Sequence, residues 1–358
     1  MLEKIVQPLM LWYDKNKRVL PWRENKNPYY IWISEIMLQQ TRVEAVKPFF
    51  RRFTEALPGI EDLAVCPEDR LLKLWEGLGY YNRVRNMQKA ALKVMEVYRG
   101  KLPADYEALK SLPGIGNYTA GAIASIAYGI PVPAVDGNVL RVIARIREDD
   151  RDIMKQSVRN QVEADLLAVM PQDDPGTFNQ ALMELGATVC VPNGMAHCEE
   201  CPVAGYCKAR SADRVMEYPV KTKAKARKVE DRTILLILDG ACVAIRKRPA
   251  KGLLAGLYEF PNLKGHLTEE EVLAQVESYG LTPLRIQKLP DSKHIFSHVE
   301  WHMIGYAVRV AELEKSGSTD MMFVETAHAE QNYPVPAAYG AYAGYMNLRL
   351  GQEKYEEA

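Results

Sequence analysis

Residues 112–128 read LPGIGNYTAGAIASIAY, a turn carrying two glycines, Gly114 and Gly116, that runs straight into a helix of small residues. Glycine permits the tight turn and allows another backbone or a ligand to come close. The N–H groups opening the next helix have no partner inside it, and the positive end of the helix dipole lies there. Such a turn can hold a phosphate without any net charge on its side chains. An ordinary corner between packed helices shows the same pattern, and the turn alone does not choose. A second glycine turn, WEGLGYYNRVRNM (75–87), sets Arg83 and Arg85 beside Tyr80 and Tyr81. Aromatics interleaved with arginines suit base stacking and phosphate contact, although a surface helix with snorkelling arginines gives the same string.

Outward from the hairpin, apolar residues recur at spacings of three and four in IVQPLMLWY, YYIWISEIMLQQ, DRLLKLWEGL, NMQKAALKVMEVY and FNQALMELGATVC, with Pro, Gly and Asn between them. This predicts helices, and no strand, up to about residue 210. VKTKAKARKVED (220–231) then turns lysine-rich and apolar-poor. It reads as a linker, either a solvated tether or an arm toward DNA. Beyond it TILLILD, ACVAIRKR and HVEWHMIGYAVRV are β-rich, with Val299, Trp301 and Met303 alternating with polar residues. EEEVLAQVESYG (269–280) interrupts them as one helix. The expected organisation is an all-α unit over 1–215, a basic linker over 216–231 and a smaller α+β domain over 232–358.

The 358 residues suggest two domains or three small ones, and 47% hydrophobic with 26% charged residues fits a soluble globular protein. Charge interrupts every apolar run in the first part of the chain, MLEKIVQPLMLWYDKNKRVLPWREN. No stretch approaches the roughly 18 apolar residues of a membrane span, and no signal-peptide core or cleavage site is visible. A cytoplasmic protein without a membrane partner is expected, nucleoid-associated if bacterial. Lys+Arg and Asp+Glu balance at 46 each. Neutrality does not exclude nucleic acid, because local basic residues and helix N-termini grip phosphates without a net positive charge.

Four of the six cysteines crowd into CVPNGMAHCEECPVAGYC (190–207), at Cys190, Cys198, Cys201 and Cys207. In a reducing compartment this clustering favours a metal over disulfides. From the residues alone the metal stays open, structural zinc being the commoner default for a thiol set. Cys66 and Cys242 are isolated and read as core residues or inert thiols.

Two carboxylates stand out. Glu35 is the one charge in IWISEIMLQQT (31–41), and Asp136 sits between an apolar approach and a helix in VPAVDGNVLRVIAR (132–145). If Glu35 faces an apolar cleft, desolvation raises its pKa above the ordinary value of about 4.3 and lets it donate a proton near neutrality. Periodicity alone favours a surface-facing glutamate, and Asp136 equally suits a helix cap. Two carboxylates in unlike environments suit one acid and one ionised stabiliser of a cationic transition state.

PWRENKNPYYIWISEIMLQQTRV, WEGLGYYNRVRN, LPGIGNYTAGAI, VPAVDGNVLRV and the cysteine run, in this order over about residues 5 to 210, resemble the adenine-DNA glycosylases of the MutY type. The N-terminal half of that family shares the helix-hairpin-helix fold of endonuclease III. The resemblance implies an all-α helix-hairpin-helix glycosylase domain with an iron–sulfur cluster loop, followed by a C-terminal α+β MutT-like (Nudix-type) domain. It implies that Cys190, Cys198, Cys201 and Cys207 ligate a four-iron–four-sulfur cluster. The family's first cysteine gap is six residues, whereas VPNGMAH supplies seven. Gly194 is placed to absorb the extra residue, and His197 is an alternative ligand to Cys190.

By the same resemblance Glu35 matches the residue that protonates adenine at N7, and Asp136 the carboxylate that stabilises or covalently traps the sugar cation. Tyr118 and Asn138 match residues supporting that chemistry. Relatives that also cut the strand carry a lysine where GNYTAG has Tyr118, so a monofunctional enzyme that leaves an abasic site is expected. Gln40 and Tyr80 match residues that wedge into the base stack. Trp22, Arg23 and Gln180 match the pocket around the extruded base, and Gly114 and Gly116 the hairpin on the DNA backbone. The implied partner is double-stranded DNA holding adenine opposite 8-oxoguanine or guanine, bound by a monomer.

GLLAGLYEFP (252–261) and the helix after it resemble a MutT-like domain. LAQVESYG keeps only Glu277 of the glutamate-rich magnesium run of hydrolytic members, so pyrophosphate hydrolysis is not expected. In MutY-type proteins this domain checks for 8-oxoguanine. The matching loop is HIFSHVEWH, with Phe296, Ser297 and His298. A serine hydroxyl can rotate to accept the N7–H that 8-oxoguanine carries and guanine lacks.

Overall fold

The computed structural model describes residues 1–222, 226–311 and 320–350. The chain forms two compact units, residues 1–65 with 85–224 and residues 66–84 with 225–358. Among the described residues twelve α-helices precede the first strand: α1 (Glu3–Asn16), α2 (Pro28–Leu38), α3 (Val43–Ala56), α4 (Ile60–Val65), α5 (Glu68–Leu74), α6 (Asn82–Tyr98), α7 (Tyr106–Lys110), α8 (Asn117–Tyr128), α9 (Gly137–Arg147), α10 (Gln156–Leu167), α11 (Pro175–Thr188) and α12 (Lys208–Ser211). Among the described residues no strand occurs before Lys228, as the spacing predicts. No described helix is long and apolar enough to cross a membrane.

In the first unit Ile5 and Leu9 of α1 pack against Val139 and Ile143 of α9 and Phe178 and Leu182 of α11. Each side chain buried this way contributes roughly 1.5–3 kcal/mol. The same burial secures the α7–α8 hairpin. Leu109, Leu112 and Ile115 point inward, which leaves Gly114 and Gly116 at the surface. Gly114 has φ +77°, and a Cβ there would meet Asn86 Cβ at 2.8 Å. Only glycine suits that corner on both counts. Asn179 of α11 pins the next loop by donating to Val132 O and Ser125 Oγ and accepting from the Ala134 amide.

The described residues of the second unit build a sheet of seven strands: β1 (Lys228–Asp239), β2 (Cys242–Lys247), β3 (Tyr258–Glu259), β4 (Asn262–Lys264), β5 (Thr282–Ile295), β6 (Val299–Ala311) and β7 (Met321–Glu325). The order is β3-β2-β1-β6-β5, with β4 against β1 and β7 against β2. Among the described strands only β1 and β6 pair parallel. Strand alternation feeds two cores. Ile234 and Leu236 join Trp301, Tyr339 and Tyr342 on one face, the last two from the C-terminal segment that holds α14 (Thr326–Asn332) and α15 (Gly340–Ala343). Leu235 and Ile237 meet Val272 and Val276 of α13 (Glu269–Ser278) on the other.

The chain divides differently from the expectation in two places. The linker expected through 231 ends sooner, since β1 begins at Lys228 and pairs with β6 from Lys228↔Val299 to Leu238↔Arg309. Backbone pairing does not depend on the charged side chains that made this stretch read as a tether, and those side chains stay outside. Residues 223–225 of the expected linker lie outside the described residues. Residues 66–84, expected in the N-terminal domain, group with the second unit. There the Glu76 carboxylate accepts from the Val335 amide at 2.9 Å, Lys73 donates to Tyr333 O at 2.8 Å, and Lys247 pairs with Asp69 at 2.7 Å.

Candidate active site

Helix α2 opens with Asn27 accepting from the Tyr29 amide and Pro28 in the first turn. Every residue from Ile31 to Met37 is buried, so α2 has no polar face over that span. Glu35 is 7% exposed. Burial pushes its carboxyl up to about 7; the Tyr118 hydroxyl bond opposes this, the Asp136 charge adds to it, and Arg23 opposes it. Tyr118, in the first turn of α8, donates its hydroxyl to Glu35 Oε2 and also lies 3.6 Å from Met183 Sδ.

Asp136 caps α9. Its Oδ1 accepts from the Val139 amide at 2.8 Å and its Oδ2 from Asn138 Nδ2 at 2.7 Å. Burial raises this carboxyl too, against the bonds from Val139 and Asn138 and the charge of Arg141. Both oxygens accept, which suits the ionised form. Asn138 is fixed from behind. Its Oδ1 accepts from Arg141 Nη2 at 2.9 Å, and a Cβ on Gly186 of α11 would stand 2.7 Å from Asn138 Cβ. Arg141 also donates to Gly186 O at 2.7 Å and Cys190 O at 2.8 Å.

These groups share one cleft of about 1050 Å³. Trp22, Arg23, Glu35, Gln40, Tyr118, Asp136, Asn138 and Gln180 all line it, drawn together from four helices and the short turn Pro21–Arg23. Trp22 is buried against Phe50, rings 5.5 Å apart edge to face. Gln40 is exposed just past α2 with φ +62°. Gln180 accepts from the Tyr13 hydroxyl at 3.0 Å. The lining also includes Arg18 and Glu184, which sequence reasoning missed. The available signal was a lone charge inside FNQALMELG, four residues after Gln180 and so on the same helical face.

A second group forms within the other unit. Ser297, in the loop between β5 and β6, donates to the Tyr80 hydroxyl at 3.2 Å. Tyr80 is exposed with φ +48°. Arg83 braces its turn, donating to Leu78 O at 3.0 Å and Gly79 O at 3.2 Å, with its guanidinium over the Tyr80 and Trp75 rings. Phe296 anchors the loop against Trp301 at 4.9 Å, while His298 is exposed and its carbonyl accepts from the Lys228 amide. Glu259 accepts from Arg246, Arg248 and the Tyr339 hydroxyl.

Cys190, Cys198, Cys201 and Cys207 line one cavity of their own, and His197 does not. In the loop between Cys190 and Cys198, Gly194 has φ +74° and the His197 amide returns to Val189 O at 3.0 Å. Among the described residues no three His, Cys, Asp or Glu side chains close around a single ion. Four thiols facing one cavity are a donor set that a thiolate-bound metal centre or cluster can use. Arg145, 2% exposed, donates to Cys190 Sγ at 3.2 Å and otherwise to backbone carbonyls. A buried guanidinium without a carboxylate partner among the described residues suits an anionic thiolate-bound group. The donor set fits.

Residues 33–166 match the family model described as HhH-GPD superfamily base excision DNA repair protein, and residues 233–343 match a NUDIX domain. The adenine DNA glycosylase of Mus musculus is 34% identical over 350 residues, covering 82% of this chain and 68% of the mouse protein. The chain belongs to the adenine DNA glycosylase family. The relative from Buchnera aphidicola subsp. Acyrthosiphon pisum (strain APS) is 32% identical, with 85% of this chain and 86% of its own length covered. The Arabidopsis thaliana relative is 36% identical, and the chain spans 59% of its length. Among solved structures, a thermostable thymine-DNA glycosylase aligns with TM-score 0.52 and 28% identity, over 59% of this chain and 97% of that one. Endonuclease III in a non-covalent DNA complex gives TM-score 0.50 and 25% identity, over 60% of this chain and 98% of that one. This family member therefore joins a helix-hairpin-helix glycosylase fold to a Nudix-like domain.

Proposed function

We propose that this chain is a base-excision repair enzyme that hydrolyses the N-glycosidic bond of adenine paired with 8-oxoguanine or guanine in duplex DNA. The observation that carries the reading is the Glu35–Tyr118 pair standing in one cleft with Asp136. Adenine leaves poorly until it is protonated, and its departure leaves positive charge on the deoxyribose. Glu35, raised to about 7 chiefly by burial, supplies the proton to N7 at neutral pH. Tyr118 engages Oε2, so Oε1 is the oxygen that carries the proton. General acid catalysis of this kind gives roughly 10²–10⁴-fold, and charge stabilisation by Asp136 supplies much of the remainder. Asn138, wedged between Arg141 and Gly186, holds the Asp136 carboxylate in place.

The cleft volume of about 1050 Å³ is ample for a nucleoside, and everting the base costs a few kcal/mol. Trp22, Arg23 and Gln180 form the pocket for the everted base; Gln40 of the first unit is a wedge into the base stack, and Tyr80 of the second unit is another. The amide end of α8 beyond Gly116 holds a DNA phosphate; a Cβ there meets nothing within 4 Å, so the approach is open. Ser297 and His298 read 8-oxoguanine, with Phe296 as the loop's anchor. Cys190, Cys198, Cys201 and Cys207 hold a four-iron–four-sulfur cluster that organises their loop against DNA. No lysine is found among the described residues lining the cleft, which supports a monofunctional enzyme; the chain is taken to act as a monomer. A strand-resolved, single-turnover assay on both mispairs tests this. Breaks that appear only after alkali are expected; intact strands after alkali, or breaks without it, overturn the reading.

A further inference from the structure

Glu184 is 1% exposed, less than Glu35 in the same cleft, and no step above uses it. Its Oε1 accepts from the Arg18 amide at 3.0 Å and Arg18 Nε at 2.7 Å, and its Oε2 from Arg18 Nη2 at 2.9 Å and Arg23 Nη2 at 2.8 Å. Burial alone would raise this carboxyl, but the bonds from Arg18 and Arg23 hold it at about 2. It is a fixed negative charge and not a proton donor. Tyr13 of α1 is the third titratable group beside it, kept neutral by burial, with its ring 5.4 Å from the Arg23 guanidinium.

Around Glu35 stand Tyr118 from α8, Asp136 at the cap of α9, and Arg23 from the Pro21–Arg23 turn. Arg23 works against protonation of Glu35, and Arg18, clamped to the same carboxylate, lines the same cleft. Positive charge left uncompensated beside Glu35 favours its ionised form.

We propose that Glu184 is a positioning and counter-charge residue: it clamps Arg18 and Arg23 in the base pocket and cancels one of their two charges, so that Glu35 stays protonated at neutral pH. This rests on the reading of Glu35 as the general acid. The trio of Arg18, Arg23 and Glu184 carries one net positive charge. Glu184→Gln makes it two, Arg18→Gln makes it none, and the double variant restores one.

The test is the single-turnover rate of adenine excision from an 8-oxoguanine:adenine duplex, followed from about pH 5 to about pH 10 in all four proteins. The alkaline limb, where Glu35 loses its proton, is expected to fall by about one pH unit in Glu184→Gln and to rise by about as much in Arg18→Gln. It should return near the parent position in the double variant, even where the plateau rate stays low. A purely structural role lowers plateaus and leaves every limb in place; that result, or both single variants moving the same way, overturns the inference. Should Glu184→Gln fail to fold by circular dichroism, Arg18→Gln decides alone, since the Arg18 side chain is one-third exposed. A parent protein that excises no adenine, or shows no alkaline limb, would instead refute the proposed function itself.

Discussion

Replacing Tyr118 by Phe should slow the enzyme and at the same time widen its pH range, and the two effects have separate causes. Glu35 sits at about 7 against an ordinary 4.5. At pH 7 half the molecules hold the proton, whereas an ordinary glutamate would hold it in about one molecule in 300, a difference of roughly 3 kcal/mol. Burial provides that difference, and the Tyr118 hydroxyl opposes it, because a bond donated to Oε2 favours the charged form. Removing the donor leaves the carboxylate less stabilised while the acid is little affected. The alkaline limb should then move from about pH 7 to about pH 8, the worth of one charge-assisted hydrogen bond partly retained by the acid. Losing the hydroxyl that orients Glu35 should cost about tenfold at the plateau. Single-turnover excision by Tyr118→Phe would therefore be about tenfold slow at pH 6 but only about twofold slow at pH 8, where the protonated fraction has risen about fivefold. A uniform loss across pH, or a limb displaced downward, would refute the reasoning.

Glu35→Gln should bind an 8-oxoguanine:adenine duplex within a few-fold of the parent while excision falls by at least about 10²-fold, the contribution of the donated proton; filter binding and single-turnover rates check the pair. Arg141→Met leaves the carbonyls of Gly186 and Cys190 and the amide oxygen of Asn138 without their donor. It should cost roughly 2–4 kcal/mol, seen as a lower thermal midpoint, and slow excision more than binding. Cys201→Ser should lose iron, sulfide and the broad visible absorption of the purified protein, whereas Cys66→Ser and Cys242→Ser should keep all three; zinc in place of iron in the parent would correct the metal.

Periodicity located the helices because their buried faces recur at the helical interval. It failed at Glu35 for a physical reason. A polar side chain on a helix is assigned outward only if the helix has an outward face, and α2 is enclosed from Ile31 to Met37. The family motif singled out Glu35 where periodicity favoured the surface, and Asp136 where a helix cap was the other reading; Asp136 does cap α9. Arg18 and Glu184 went unread because their pairing spans 166 residues and joins a loop after α1 to the middle of α11. Likewise, nothing local in residues 66–84 signals the Glu76–Val335 or Asp69–Lys247 contacts. The start of β1 was hidden by composition, since its charged opening pairs through backbone alone.

Infrared difference titration of the parent protein against Glu35→Gln asks the central question most directly. A protonated-carboxyl band present in the parent, absent in the variant and fading with a midpoint at about pH 7 is the result expected from burial of Glu35. A band gone by about pH 5, as for a solvated glutamate, would contradict it.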